Sequence, residues 1–377
     1  MIPYWLSEAH EPPPAVALDG PPDVVVVGAG VTGCAAALRL AHAGMRVRLC
    51  DAREVAGGAS GRNGGFALRG APAPFDVTAA SVGEESARAI WAWSERAIDR
   101  IEELAGDAFR RVGSLRLAVD EEERDELRSE YDALVGAGFA AEWLDDLAPP
   151  LAGRFTAAIR HVPDGVLQPA RWVRRLARLA AEAGVEIREH ARVTSLDELE
   201  GATVVVCSDG YPSGLLGPIE GLIIPTRGQV IATEPIPERL FQVPHYGRHG
   251  FDYWHQAEDG RVVAGGFRDV SLFSEFTADE HTTDVVQDAL SSFVNGLVGR
   301  ELRVDYRWAG IFGLVMDFLP VVGAVPGLDR VWVAGGYSGH GNVLGLACGE
   351  LVARAVAGED DPLLPLFDPG RLLGAGA

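Results

Sequence analysis

The sequence predicts an α/β chain of two parts: a Rossmann-like domain on a parallel sheet, and a second α+β domain on an antiparallel one. Three observations carry this. Four consecutive valines, Val24–Val27, run into Gly28, Gly30 and Gly33 spaced as G-x-G-x-x-G, and an alanine-rich segment follows. The same strand-and-helix rhythm returns at Gln168–Gly210 and again from Asp317 onward. Between these, strand-like segments recur at the spacing of hairpins, which favours an antiparallel sheet.

The valine run suits a strand buried on both faces. The glycines that follow let the backbone bend sharply, approach a pyrophosphate, and pack the next helix close to the strand. That helix spans Val31–Ala43, with its N-terminal N–H groups toward the phosphates, and Gly44 stops it. Arg46–Cys50 forms a second strand ending at Asp51, whose carboxylate can accept hydrogen bonds from a ribose and favours a free hydroxyl over a 2′-phosphate. Strand, turn, helix, strand and acid in this order predict a dinucleotide site. A second glycine-rich run, GGASGRNGG from Gly57 to Gly65, comes next; a plain nicotinamide enzyme does not need it.

Residues 1–22, rich in proline, read as an irregular arm along the surface. Helices are expected at Glu84–Ala105 and Glu121–Val135, joined through Ser114–Val119, which alternates like an edge strand. A helix at Pro169–Ala183, stopped by Gly184, precedes strands at Val185–Arg188 and Thr203–Cys207. Strand-like segments follow at Gly228–Glu234, Phe251–Gln256, Arg261–Phe267 and Leu302–Ile311, with a helix near Thr282–Val298. A strand at Val331–Ala334, a glycine turn at Gly335–Gly341 and a helix at Asn342–Ala357 close the chain. The expected division gives 23–75, 155–225 and 317–377 to the dinucleotide domain, and 76–154 and 226–316 to a substrate domain.

The 377 residues carry 33 basic and 54 acidic groups, a net charge of −21. This argues against nucleic acid or an anionic membrane as partner, since both need a basic footprint. Every basic residue other than histidine is arginine. The absence of lysine excludes a Schiff base, a pyridoxal-phosphate anchor, a P-loop lysine and a lysine general base. Cys34, Cys50, Cys207 and Cys348 lack metal-ligand spacing and read as small buried apolar groups in a reducing compartment. With no basic leader and no window apolar enough to span a bilayer, a cytoplasmic protein is expected. No nucleophile elbow is present, and no metal is expected: His245 and His249 are four apart, but Pro244, Gly247 and Gly250 disfavour a helix there.

The run GGASGRNGG, together with WVAGGYSGHGN near the C-terminus, resembles the D-amino-acid-oxidase-like flavoproteins, which include glycine, sarcosine and D-amino-acid oxidases. Amine oxidases of the γ-glutamylputrescine oxidoreductase type are the nearest in pattern. The resemblance implies bound FAD, held by Gly28, Gly30, Val31 and Gly33, by Asp51, Ala52 and Arg53, and by Ala59, Ser60, Arg62, Asn63, Gly64 and Gly65. Farther along it implies Val193, Gly210, Gly313, Gly336, Ser338, Gly339, His340, Gly341 and Asn342. The last helix would set its N-terminus at the pyrimidine edge of the flavin, stabilising negative charge on the reduced ring.

The sequence departs from that family at two places. Glycine and D-amino-acid oxidases clamp the substrate carboxylate with an arginine after W-x-G; here WAGIFG sets Phe312 there, which disfavours a simple α-amino acid unless Arg227 or Arg268 substitutes. GLVMDFLP holds no cysteine for covalent attachment, and no lysine exists to sit near the flavin N5. FAD is therefore expected to be noncovalent, with positive charge near N5 from Arg62 or His340. Catalytic candidates are His340, Tyr253 and Phe312, and Phe251, Trp254 and Trp308 are further pocket aromatics able to lower the pKa of an amine by desolvation. The implied reaction oxidises the C–N bond of an amine or N-substituted amino acid to an imine, with O2 reduced to H2O2. A dehydrogenase using a quinone or flavoprotein acceptor, an amino acid oxidase, and a flavin-binding protein without turnover remain alternatives.

Overall fold

The computed structural model describes residues 2–199 and 201–374. Met1 of the expected arm, and Glu200 and residues 375–377 of the expected dinucleotide domain, lie outside the described residues. The valine run Val24–Val27 is central in a six-stranded sheet, between Val47–Cys50 and Thr203–Val206, with Val24 opposite both Val47 and Thr203. Glu186–Arg188 lies beyond one neighbour and Val331–Gly335 beyond the other, all parallel, and Val321–Ala324 closes the edge antiparallel. This edge strand is missing from the sequence reading, because it is only four residues long and lies between loops.

The helices Val31–His42 and Gly341–Val356 pack against each other on this sheet. A Cβ on Gly349 would stand 2.4 Å from the Thr32 carbonyl oxygen. Glycine at this position lets the two backbones approach, so the helix that begins the first glycine turn and the one that begins the last form one support.

The second sheet has eight strands, in the order Val304–Leu314, Ile224–Pro235, Arg261–Gly266, Asp252–Gln256, His245–Gly247, Ser114–Ala118, Ala157–His161 and Ala141–Leu144. Its pairs are antiparallel except the junction of His245–Gly247 with Ser114–Ala118. The expectation of an edge strand at Ser114–Val119 is therefore corrected: Ser114–Ala118 is paired on both sides. Its alternation reflects one face on the core and one toward the cavity, a pattern that an interior antiparallel strand shares with an edge. Ala157–His161 also belongs here, so the expected boundary at 155 assigns it to the wrong sheet. A three-stranded sheet of Phe66–Ala67, Gly165–Leu167 and Phe109–Arg111 joins the two layers.

The arm is not merely an extension. Tyr4–Ser7 forms a short helical turn with Trp5 buried. The Trp5 Nε1–H donates to the Asn63 carbonyl at 2.8 Å, and the indole stacks on His255 at 5.8 Å. A buried aromatic with its N–H satisfied is a firm anchor, and it fixes the back of the second glycine run.

Candidate active site

Two clefts open where the sheets meet. The first spans about 830 Å³, part of it open to solvent, and is lined by Gly28 and Gly30 of the first turn, by Asp51, Ala52 and Arg53, and by Ala59 and Ser60. Val193 lines it as well. Gly28 has φ +109°, and a Cβ there would fall 2.6 Å from the Cys207 carbonyl oxygen, so the turn demands glycine twice over. The Asp51 carboxylate accepts from the backbone N–H of Ala29 at 2.6 Å and of Arg53 at 2.7 Å. Burial pushes its pKa up, and those two N–H groups oppose the shift. The predicted acid thus holds the turn together as well as facing the cleft.

The second cavity, of about 1540 Å³, shares Ala59 with the first and continues along Arg62, Asn63, Gly64, Ser338, Gly339, His340 and Asn342. Asn63 and Asn342 exchange side-chain amide hydrogen bonds at 3.1 Å in both directions, and Asn342 also donates to the Phe66 carbonyl at 2.8 Å. This pair ties the second glycine run to the start of the last helix. Tyr253 and Phe312 face the cavity from the eight-stranded sheet. Of the other expected pocket aromatics, Trp254 and Trp308 are core residues, and Trp308 Nε1 donates to the Arg62 carbonyl at 2.7 Å. Phe251 lies beside the cavity under Arg268, 4.3 Å from its guanidinium carbon.

The remaining expected cofactor residues, Val31, Gly33, Gly65, Gly210, Gly313, Gly336 and Gly341, line neither cleft. They shape it from behind. A Cβ on Gly33 would lie 1.8 Å from the Gly28 carbonyl oxygen, and one on Gly210 would lie 2.4 Å from the Phe312 backbone. The Val31 N–H donates to Ser60 Oγ at 3.0 Å. Gly313 and Gly336 donate to the two oxygens of Asp209 at 2.9 and 2.7 Å.

Four arginines line the second cavity: Arg62, Arg69, Arg116 and Arg268. Three are neutralised, Arg62 by Glu280 at 3.5 Å, Arg69 by Glu95 at 2.8 Å, and Arg116 by Glu130. Arg268 has neither an ion-pair nor a hydrogen-bond partner among the described residues; its neighbour Asp269 is held by Arg248 at 2.7 Å. Burial pulls the Arg268 pKa down, with Tyr253 and Asp269 opposing. Arg227, the other arginine considered as a clamp, is buried and engaged by both oxygens of Glu275 at 2.8 Å, so it is part of the core.

The surroundings of His340 disfavour the charge expected of it near the flavin. Burial pushes its pKa down to about 4, helped by Arg116, and the ring is neutral at ordinary pH. Among the described residues no cluster could hold a metal ion. His245 is buried against Trp254, and His249 meets Glu126 at 3.5 Å. The four cysteines are buried and unpaired, and none lines the second cavity.

Several site residues escape the sequence reading. Tyr211 lines the first cleft with Arg53 over its ring at 4.9 Å, and Glu280 accepts from both, at 2.6 and 2.8 Å. Asp209 stands just past the end of a parallel strand, the position where such folds place ligand-contacting groups, and that signal is present in the sequence. Arg69, Arg116, Glu130, His161 and Tyr246 come from five separate segments, and only the folded sheet brings them together.

The arrangement fits FAD: a glycine turn and helix N-terminus for the pyrophosphate, Asp51 for the ribose, and a broad cavity reached past Ala59 for the ring system. The sequence profile of the family "FAD dependent oxidoreductase" (DAO) matches residues 23–355. The chain is 27% identical to the probable oxidoreductase OrdL of Haemophilus influenzae, covering 90% of this chain and 84% of that one. It is 28% identical to γ-glutamylputrescine oxidoreductase of Escherichia coli, covering 89% and 84%. Among solved structures, glycine oxidase from Geobacillus kaustophilus superimposes with a TM-score of 0.74 at 23% identity, covering 93% of this chain and 97% of that one. No helix among the described residues is long and apolar enough to cross a membrane.

Proposed function

The chain belongs to the DAO family of FAD-dependent oxidoreductases, and on that basis we propose that it oxidises the C–N bond of an amine that carries a carboxylate, as in an N-substituted amino acid, to an imine. The two hydrogens lost from carbon and nitrogen leave with two electrons, and O2 takes them up as H2O2. FAD, when bound, supplies the acceptor for the electrons and the route to oxygen. The relatives whose names point to γ-glutamylputrescine and to glycine support an amine or amino acid as substrate. The observation that carries the narrower reading is Arg268, the one arginine of the cavity wall without a carboxylate partner among the described residues.

A partly buried guanidinium without an anion is unfavourable, and a substrate carboxylate is the group that matches its planar fork. The guanidinium carbon of Arg268 lies over the rings of Phe251 and Phe312, 4.3 and 5.8 Å from their centres. The same aromatic surroundings, with Tyr253, exclude water and favour the neutral amine over its ammonium form. His340 stays neutral and adds no repulsive charge. An alkylamine without a carboxylate would leave Arg268 unpaired.

The test is turnover in air of N-alkyl amino acids, with H2O2 measured in the presence and absence of an artificial electron acceptor. Release of about one H2O2 per imine formed supports an oxidase. Turnover that requires the added acceptor replaces oxygen by another acceptor, and no turnover with any amine removes the reading.

A further inference from the structure

The cavity has a second polar end, whose role depends on the proposed oxidation of amines within it. Arg268 follows the strand Arg261–Gly266, whereas His161 ends the strand Ala157–His161, four steps away in the order of the eight-stranded sheet. Four strand spacings are about 19 Å. Around His161 the wall is built from Arg69, Arg116, Glu130, Tyr246 and His340.

His161 is 4% exposed. Two nitrogens of Arg69, Nε and Nη2, approach its Nδ1 at 3.3 and 3.2 Å. A guanidinium only donates, so Nδ1 accepts and the ring proton sits on Nε2. Burial, with the charges of Arg69 and Arg116 adding to it, keeps a second proton off. His161 Nε2–H is thus a fixed donor, buried, on a cavity wall, and without a partner among the described residues. Tyr246 stacks on the imidazole at 6.4 Å and lines the same wall. A buried donor left unmet is costly, and the acceptor for this one must come from a molecule that enters the cavity.

We infer that this inner end is a subsite for a hydrogen-bond-accepting oxygen at the far end of the substrate, a carboxylate or amide oxygen met by His161 Nε2–H and the Tyr246 hydroxyl. The substrate is then extended and bifunctional: a carboxylate at Arg268, the reacting C–N bond between, and a second oxygen group at His161. A short amino acid would fill only the outer half.

The test uses the FAD-loaded enzyme and a series of N-alkyl glycines of increasing chain length, each made twice, ending in a carboxamide or in an isopropyl group of similar shape. Anaerobic reduction of the flavin gives kcat/KM for each pair. At the fitting length the carboxamide should exceed its hydrocarbon twin by about tenfold or more, the size of effect one satisfied buried donor gives. His161→Asn keeps an acceptor for Arg69 and removes the Nε2 donor; it should collapse that ratio, and Tyr246→Phe, which keeps the ring volume, should reduce it. His161→Gln, which returns an amide N–H near the Nε2 position, should recover part of the preference. Replacing the terminal carboxamide by a carboxylate shows which oxygen group is preferred. If the ratio is near one at every length, or survives both His161→Asn and Tyr246→Phe, water satisfies His161 and the subsite is wrong. If no member of the series reduces the flavin, the oxidation reading fails and takes the subsite with it.

Discussion

Arg268 lies with its guanidinium carbon 5.8 Å from the centre of the Phe312 ring. Phe312 lies on the strand Val304–Leu314 and Arg268 just past the end of Arg261–Gly266, with Ile224–Pro235 between those two strands, so the cation stands beside the side chain that the family resemblance sets where a clamping arginine is expected. Phe312 alone predicts an apolar pocket hostile to carboxylates; Arg268 beside it supports the proposal that the pocket takes them.

Arg268→Gln should therefore weaken binding of a simple carboxylate such as benzoate, read as perturbation of the flavin absorption band, by about thirty- to a hundredfold, the worth of a charge-assisted pair. Arg268→Lys should recover only part, since an ammonium lacks the planar fork. A benzoate affinity unchanged in Arg268→Gln would place the anion elsewhere.

Asp51 is expected to hold the ribose while bracing the first turn through Ala29 and Arg53. Asp51→Ala should weaken FAD retention by roughly ten- to a hundredfold. It should also lower apoprotein stability by about 1 kcal/mol, because two backbone N–H groups lose their acceptor. Dilution of the holoprotein, followed by flavin fluorescence, measures the first effect, and urea unfolding of the apoprotein the second.

His340 has its pKa held near 4 by burial, against an ordinary value of 6.5. As pH falls through this window the unfolded chain takes the proton first, so stability contributed by His340 is present above 6.5 and lost toward 4. The loss is on the order of 3 kcal/mol at most. Urea midpoints of the native protein and His340→Asn, compared from pH 7 to 4.5, should converge as pH falls. Parallel curves would mean that His340 is solvated.

Flavin should leave the protein on acid or heat precipitation, because no cysteine lines the cavity that would hold its ring. Colour retained in the washed precipitate would show a covalent link.

The dinucleotide half was legible because its chemistry is local. Gly28, Gly30 and Asp51 sit within one strand-turn-helix-strand unit, and spacing alone brings them to one cleft. The linkage of Asn63 to Asn342 was legible in its parts, since both belong to glycine-rich stretches, but not as a pair. The inner cavity was hidden for a physical reason. His161 meets Tyr246 only after Ala157–His161 pairs with Ser114–Ala118, and Ser114–Ala118 pairs with His245–Gly247. No spacing in the chain encodes a parallel junction between strands so far apart. The burial of Trp5 was unreadable likewise, because its partner Asn63 lies 58 residues away.

The central claim is tested most directly by mixing the native holoprotein anaerobically with N-methyl and N-alkyl amino acids and with alkylamines of matched length, and following the flavin absorption band. The account predicts that the best carboxylate-bearing amine reduces the flavin with a kcat/KM at least about a hundredfold above its carboxylate-free counterpart, nearly 3 kcal/mol of differential transition-state binding. An alkylamine that reduces the flavin as well as or better than every carboxylate-bearing substrate would contradict it.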